Sequence, residues 1–238
     1  MFVLSGGIAP PRPSCADRKI PVASKGHCTA HAVFGDDQGT IVQAESWLEL
    51  CLLTLLNADL DVALLEEQQR FVYGMGTRPS EHVFDVVATL QDGCRIAYTV
   101  KPEIRLNKAS RSGAAFLEKM GVIAWHVKQS GFADSVQLLT ETDIDQIDLR
   151  NATMFAAVRN ADPEADQVAS RAVDALPDGG HRTLRDLTLD TGMAARGYRA
   201  LIRQMRNGFA RQVGRGVIGP KSYVTRNYRL SAAAFERT

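Results

Sequence analysis

The sequence predicts an α/β protein with a small mixed sheet flanked by helices, joined to a C-terminal helical domain of the helix–turn–helix or winged-helix type. Helical and strand-like apolar patterns alternate through residues 47–140, which is typical of an α/β core. Two short helical patterns separated by a glycine follow within residues 183–207. With 238 residues the chain has room for two domains, which we place at residues 1–150 and 151–238.

Composition indicates a soluble cytoplasmic protein. Hydrophobic residues make up 45% of the chain and charged residues 23%, which are ordinary values for a globular protein. No apolar run reaches the roughly 18–20 residues of a membrane span, and the N-terminus lacks the basic start of a signal peptide. The four cysteines are sparse and irregularly spaced, which favours reduced thiols over a disulfide framework. We therefore expect no membrane partner.

Charge is distributed unevenly along the chain. Residues 1–180 contain 16 lysine and arginine residues against 24 acidic ones, whereas residues 181–238 contain 12 against three, and eleven of those twelve are arginines. An arginine-rich segment behind an acidic body is the asymmetry expected of a nucleic-acid contact surface. A solvated basic tail is the alternative that charge alone leaves open.

The N-terminal domain begins with an arm, a helix and a hairpin. Residues 1–40 are rich in proline, glycine and serine, which predicts an irregular arm with short strands. Apolar side chains dominate residues 47–56 and predict a helix that is buried on most of its circumference. Residues 83–90 and 94–100 are β-like runs joined by Asp92-Gly93, a hairpin signal.

The next elements complete the sheet and open the second domain. Residues 109–120 predict a helix that ends at Gly121. Residues 122–127 and 136–140 predict two more short strands. Asp162 followed by Pro163 predicts a helix N-terminus, and we expect this helix to extend to about residue 176.

Residues 183–207 follow the pattern of a helix–turn–helix. Gly192 marks the turn, and the second helix covers residues 194–206 with its apolar side chains inward. Arginines recur every three or four residues, so we expect them on an outward face that meets phosphates or base edges, with a wing over residues 213–225. A packing role for such a hairpin remains open. The predicted DNA-binding residues are Arg196, Arg199, Arg203, Arg206, Arg211 and Arg215.

Three central residues form a set that suits nuclease chemistry. Glu49 lies on the predicted helix, Asp85 on the first hairpin strand and Lys101 at the end of the second. Carboxylates can hold one or two Mg2+ ions that activate water, and a lysine can neutralise charge that develops on phosphorus. Adjacent antiparallel strands can present Asp85 and Lys101 on one face of the sheet. On spacing alone, an ordinary structural role for each residue remains an alternative.

Five short motifs follow one another in this region. They are Glu45-Ser-Trp-Leu-Glu49, Glu67-Gln68, His82-Val-Phe-Asp85, Asp92-Gly93 and Val100-Lys101-Pro102. In this order and at similar gaps, they resemble the motifs of the TnsA family of transposon-end endonucleases. The likeness covers roughly residues 20–130, with Ser24 to His27 near its start.

The resemblance implies a restriction-endonuclease-like fold and hydrolysis of one DNA strand at the end of a mobile element. It implies Mg2+ as the cofactor, with Mn2+ as a substitute, and double-stranded DNA, a DDE transposase and an AAA+ ATPase regulator as partners. Carried over by position, Glu49 and Asp85 are metal ligands and Lys101 is the catalytic lysine. Gln68 matches the second residue of the Glu-Gln motif and is expected to support the site.

Thr99 departs from the family pattern, which places glutamine or glutamate two residues before the lysine. A hydroxyl is a weak, uncharged ligand for Mg2+ compared with a carboxylate. A backbone carbonyl near Thr99, Glu45 one helical turn before Glu49, or a single loosely bound metal would compensate. The remaining alternative is an inactive nuclease fold that serves as a DNA-binding regulator or assembly factor.

Two further alternatives stay open. One is a free-standing nuclease of a phage or defence system that acts without a transposase. The other is a zinc site formed by Cys15, His27, Cys28 and His31, although their spacing lacks a C-x-x-C pair. A transposase and an ATPase encoded beside this chain would favour the function in transposition.

Overall fold

The computed structural model describes residues 3–4, 7–20, 28–74 and 78–227. The chain divides into two compact units. The N-terminal unit comprises residues 10–34 and 39–145, and the C-terminal unit comprises residues 1–9, 35–38 and 146–238. The division thus falls a little before the predicted boundary at 150–151, because a helix that begins at Gln146 contacts the helices of the C-terminal unit.

Short antiparallel hairpins are present in the region predicted to be an irregular arm with short strands. The first joins β1 (Val3–Leu4) to β2 (Gly7–Ile8), and the second joins β3 (Ala30–Phe34) to β4 (Thr40–Ala44).

A four-stranded mixed sheet forms the centre of the N-terminal unit. Strands β5, β6 and β7 are antiparallel neighbours, and β8 lies parallel to β7. The turn between β6 and β7 contains Gly93 at φ +88, a conformation that favours glycine. The α/β core and the predicted hairpin are therefore confirmed. The strands are β5 (Val62–Tyr73), β6 (Ser80–Leu90), β7 (Arg95–Val100) and β8 (Ser135–Leu139).

Two helices flank this sheet. α1 (Trp47–Ala58) precedes the sheet and confirms the helix predicted over residues 47–56. α2 (Arg111–Ser130) follows a short 3₁₀ helix at Glu103–Leu106 and connects β7 to the parallel strand β8. A parallel pair requires such a crossover, since a hairpin turn can join only antiparallel strands.

The predicted helix end at Gly121 and the predicted strand over residues 122–127 are wrong. α2 continues to Ser130 and ends at Gly131, which has a left-handed backbone. Ile123 and Val127 are four residues apart and fully buried, so they lie on one face of a helix. That face packs in a cluster with residues of β5, β6 and β7, namely Phe71, Phe84, Val87 and Ala97.

Over its described residues, the C-terminal unit contains four helices, a three-stranded antiparallel sheet and the strand pair β1–β2. The helix predicted to start at Asp162 is confirmed, since the side chain of Asp162 accepts a hydrogen bond from the backbone N–H of Ala165. The two short helices predicted around Gly192 are also present, with Gly192 at φ +64. The elements are α3 (Gln146–Ala157), α4 (Pro163–Asp174), β9 (Arg182–Thr183), α5 (Leu184–Thr191), α6 (Ala194–Arg206), β10 (Ala210–Gln212) and β11 (Tyr223–Arg226), with the strands ordered β10-β11-β9.

Hydrophobic packing joins these helices to the small sheet. Fully buried leucines of α5 meet buried side chains of α4 and α6, and Val224 of β11 closes the cluster. Separately, no helix in the described ranges has the length and hydropathy needed to cross a membrane.

Candidate functional site

Glu49 lies in the first turn of α1 and is held there by hydrogen bonds. Its carboxylate accepts from the hydroxyl of Ser46 at 2.8 Å and from the backbone N–H of Glu45 at 2.8 Å. Its own backbone N–H donates to Ser46 Oγ at 3.2 Å, so Ser46 is the N-cap residue. Glu45 precedes this cap and so lies outside α1, but it lines the same cleft as Glu49.

Asp85 lies on β6 and is 9% exposed. Its Oδ2 accepts a hydrogen bond of 2.7 Å from the backbone N–H of Val100 on the neighbouring strand β7. Burial raises the pKa of Asp85 to about 7, and the negative charges of Glu49 and Glu45 act in the same direction. The N–H of Val100 and the ammonium of Lys101 oppose this rise. The charged groups predicted to form the site are therefore close enough to influence one another.

Lys101 directly follows β7 and lines an open cleft of about 830 Å³ together with Glu45 and Glu49. Its backbone N–H donates to the carbonyl of Leu139 at 2.9 Å, which extends the pairing between β7 and β8 and fixes the position of the lysine. The remaining wall of the cleft is mixed in polarity and comprises Thr29, Ser46, Leu48, Val100, Pro102, Ile104, Arg105, Leu106, Ser110, Ser112 and Phe116.

Thr99 is almost completely buried beside His82. Thr99 Oγ1 lies 3.0 Å from His82 Nε2, within hydrogen-bonding distance. Burial lowers the pKa of His82 to about 4, and the cations Lys119 and Lys101 lower it further, so the imidazole is neutral near pH 7. The sequence alone indicates no role for His82, although the His-x-x-Asp motif contains it.

Gln68 and Arg18 connect the acidic residues of the site. Gln68 Nε2 donates to Glu49 at 3.2 Å, while Arg18 donates to Gln68 Oε1 and to Glu45 Oε2, both at 2.7 Å. Gln68 is fully buried and has φ +51, an uncommon backbone conformation for a residue other than glycine. Arg18 was missed from the sequence, because nothing in the spacing of the arm indicates that it contacts Gln68.

The oxygen donors of this site fit a hard divalent cation. Mg2+ is usually bound by one or two carboxylates and several waters, and Glu49 with Asp85 supplies such a pair. Burial is the main cause of the raised pKa of Asp85, and the negative charge of Glu49 adds to it. Over the parts of the chain that the structure describes, no group of three or more histidine, cysteine, aspartate and glutamate residues is arranged to hold a metal. Glu49 and Asp85 are the residues that would hold such an ion.

Among the described residues, Cys15, Cys28 and His31 do not form a metal-binding group. Cys15 Sγ lies 3.2 Å from a carboxylate oxygen of Glu67, to which it donates a hydrogen bond. His31 lies on β3, and His27 is outside the described residues.

The predicted outward row of arginines on α6 is only partly present. The side chain of Arg203 is 8% exposed and forms an ion pair of 2.6 Å with Asp166 of α4. Arg206 is 9% exposed and forms an ion pair of 2.6 Å with Asp36. The prediction that Arg203 and Arg206 face outward is therefore wrong. For Arg203 the reason is the packing of α6 against α4, which encloses this part of the helix.

The other predicted arginines differ in their surroundings. Arg196 is exposed but forms ion pairs with Asp162 and Glu164 at the start of α4. Arg199 on α6 and Arg211 on β10 are also exposed. Arg215 is exposed and forms an ion pair of 3.4 Å with Asp148.

Comparison with known proteins adds no assignment to this site. No family model matches the chain, and no curated protein matches its sequence.

Proposed function

We propose that this chain is a metal-dependent DNA endonuclease subunit of the TnsA type, which cuts one strand at the end of a mobile element. The observation that supports it best is the position of Asp85. Its buried carboxylate lies within the electrostatic influence of Glu49 on α1 and Lys101 after β7, and the latter two line a cleft. Paired carboxylates and a cation beside open space are the set that phosphodiester hydrolysis requires.

The fold proposal is a restriction-endonuclease-like core followed by a winged-helix-type domain. The mixed sheet flanked by α1 and α2 supports the first part, because β6 carries Asp85 and Lys101 directly follows β7. The sequence α5, Gly192, α6 and then the strands β10 and β11 supports the second part.

Each residue of the site has a role in the proposed reaction. Glu49 and Asp85 would hold Mg2+, which supplies positive charge to phosphate oxygens and lowers the pKa of water when bound. Lys101 presents its ammonium to the phosphodiester and offsets negative charge that develops on phosphorus. Arg18 donates a hydrogen bond to the side-chain oxygen Oε1 of Gln68. The side-chain NH2 group of Gln68 therefore faces Glu49 and orients its carboxylate.

Double-stranded DNA is the proposed partner of the C-terminal unit. Arg199 and Arg211 are exposed on this unit, which carries most of the arginines of the chain. A DDE transposase and an AAA+ ATPase are further proposed partners, and the cytoplasm is the proposed location. These three proposals rest on the resemblance to the TnsA family and on composition.

A DNA-binding regulator without nuclease activity is the second candidate. It is favoured by the surroundings of Thr99, where the expected glutamine or glutamate is replaced by a buried hydroxyl close to His82. The carboxylate of Glu49 also has a structural task as part of the N-terminal cap of α1. Both observations suit a nuclease fold kept as a scaffold.

Metal binding by the full chain separates the two candidates. Calorimetric titration with Mg2+ and Mn2+, in the presence of a short DNA duplex, should show saturable binding for the wild type. Asp85→Ala should abolish that binding, because it removes one of two carboxylate ligands. Asp61→Ala, at an exposed aspartate before β5, is the matched control and should bind like the wild type.

Equal metal binding by wild type and Asp85→Ala would contradict the proposed site. Absent binding in the wild type, with binding gained in Thr99→Gln, would establish the second candidate. Circular dichroism of each variant should accompany the titration, because Thr99 is buried and a larger side chain can disturb its surroundings.

A further inference from the structure

The loop between β7 and α2 is basic, in contrast to its surroundings. We call residues 101–111, which include the first residue of α2, the cleft loop. It has four basic residues and one acidic residue, whereas residues 1–180 as a whole have an excess of acidic residues. Arg105 lines the cleft next to Lys101, and Lys108 and Arg111 are exposed. Within an acidic region of the chain, this loop therefore offers a favourable approach for a polyanion.

The cleft loop also carries an apolar side chain that faces solvent. Ile104 is 84% exposed, more than any other large hydrophobic residue in the described ranges, and it lines the cleft. It lies on the 3₁₀ helix Glu103–Leu106, which is fixed at its start by a hydrogen bond of 2.9 Å from the backbone N–H of Glu103 to the carboxylate of Glu141. A single exposed hydrophobic residue is ordinary, but Ile104 lies directly beside Arg105 at the cleft.

We propose that the cleft loop binds duplex DNA beside the candidate active site. Arg105 and Lys108 contact phosphates, and Ile104 inserts between neighbouring bases and unstacks them. Proteins that distort DNA combine these two contacts, since basic side chains position the backbone while an apolar side chain opens a base step. This inference rests on the proposed function and extends it, because it specifies distorted duplex DNA as the substrate beside Lys101.

The phosphate contacts are tested by the salt dependence of DNA binding. Affinity of the full chain for a fluorescein-labelled 30-base-pair duplex is measured by anisotropy over a range of NaCl concentrations, with EDTA present so that no cleavage occurs. Arg105→Gln combined with Lys108→Gln should reduce the slope of log affinity against log salt by about 2, since each lost phosphate contact changes it by about 0.9. Arg78→Gln combined with Lys128→Gln alters two exposed basic residues elsewhere in the N-terminal unit and should leave the slope unchanged.

The insertion of Ile104 is tested by comparing intact DNA with DNA whose bases are already unpaired. Wild type should bind a duplex with a central two-base mismatch about tenfold more tightly than the perfect duplex, since unstacking costs less there. Ile104→Ser should lose most of this preference and keep the salt slope of the wild type. Leu60→Ser, which alters another exposed apolar side chain, is the control and should keep the preference.

The outcomes distinguish this inference from the proposed nuclease activity. An unchanged salt slope in the Arg105 and Lys108 variant, or an equal preference in wild type and Ile104→Ser, would overturn the role of the cleft loop while leaving metal binding by Asp85 intact. Metal binding that fails while both DNA results appear as expected would overturn the nuclease and retain the cleft loop as a DNA-binding surface. A wild type that binds no duplex would contradict both.

Discussion

At the scale of single residues, the buried carboxyl of Asp85 gives the N-terminal unit a pH dependence. Its pKa is about 7 in the folded chain, against an ordinary value of 3.8 for an aspartate. Between these two values Asp85 is protonated in the folded chain and ionised in the unfolded chain, so folding binds a proton. The stabilisation from this group is therefore complete below pH 3.8 and is lost as pH rises through 7.

Asp85→Asn should remove this dependence. In EDTA, the free energy of unfolding of the wild type should fall relative to that of Asp85→Asn as pH rises from 5 to 8. The fall over this range is on the order of 3 kcal/mol, which follows from about 1.4 kcal/mol for each pH unit between pH 5 and the folded-state pKa of about 7. Urea unfolding at several pH values measures it, with Asp61→Asn as the exposed control. Parallel pH profiles for wild type and Asp85→Asn would contradict the raised pKa.

The same scale shows which site residues could be predicted from the sequence. Glu49, Asp85 and Lys101 could be singled out because carboxylates and a lysine on a helix and a hairpin suit one known chemistry. The contact between Arg18 and Gln68 could not, because it depends on the path of an arm with no periodic pattern. The positive φ of Gln68 likewise depends on tertiary structure, since local preference disfavours it.

At the scale of elements, Gly197 in α6 permits close contact with the end of α5. A Cβ atom at Gly197 would lie 2.0 Å from Thr191 Oγ1. This hydroxyl is held in place, because it donates to the carbonyl of Thr188 at 2.7 Å and accepts from the backbone N–H of Met193 at 3.3 Å. Because Gly197 has no side chain, α6 can pack this closely against the end of α5.

Gly197→Ala should destabilise the C-terminal unit by about 1–3 kcal/mol, the usual cost of an overpacked core. Gly121→Ala is the matched control, because Gly121 is also inside a helix but a Cβ there meets no atom within 4 Å. That control should gain about 0.5–1 kcal/mol from the higher helix propensity of alanine. Urea unfolding followed by circular dichroism measures both changes.

Adding Thr191→Ala to Gly197→Ala should recover part of the lost stability, since it removes the atom that a new Cβ would meet. A Gly197→Ala protein as stable as the wild type would show that α5 and α6 are packed less closely than the structure indicates.

Two elements are predicted poorly from the sequence, and each has its own physical reason. Residues 122–127 form a short apolar run, and such a run suits a buried strand as well as a buried helix. Gly121, which is exposed and precedes this run, is typical of a helix end. The helix continues because it buries Ile123 and Val127 against the sheet. The sequence does not predict strand β5, because residues 66–70 are five consecutive polar residues and break the alternation expected of a strand.

At the scale of the whole molecule, the arginines of the C-terminal segment fall into two classes, those buried in ion pairs and those exposed to solvent. Sequence counting could predict the excess of arginine, but it could not separate arginines that stabilise the fold from those that face solvent. Arg203 is enclosed beside Asp166, whereas Arg199 is four residues earlier on the same helix and is exposed. Helical spacing gives similar directions to both, and the packing of α4 decides between them.

Substitution of the exposed arginines should therefore weaken DNA binding, whereas substitution of the buried arginine should lower the stability of the fold. Arg199→Gln combined with Arg211→Gln should lower the slope of log DNA affinity against log salt by about 2, with the free energy of unfolding within about 0.5 kcal/mol of wild type. Arg203→Gln should leave the slope unchanged and destabilise the fold by a few kcal/mol, because Asp166 loses its partner in a partly buried position. Anisotropy titrations and urea unfolding on the full chain measure the two quantities for each variant. A slope that falls equally in both proteins would mean that Arg203 leaves Asp166 to reach DNA, whereas a slope that falls in neither would mean that DNA contacts this unit through other residues.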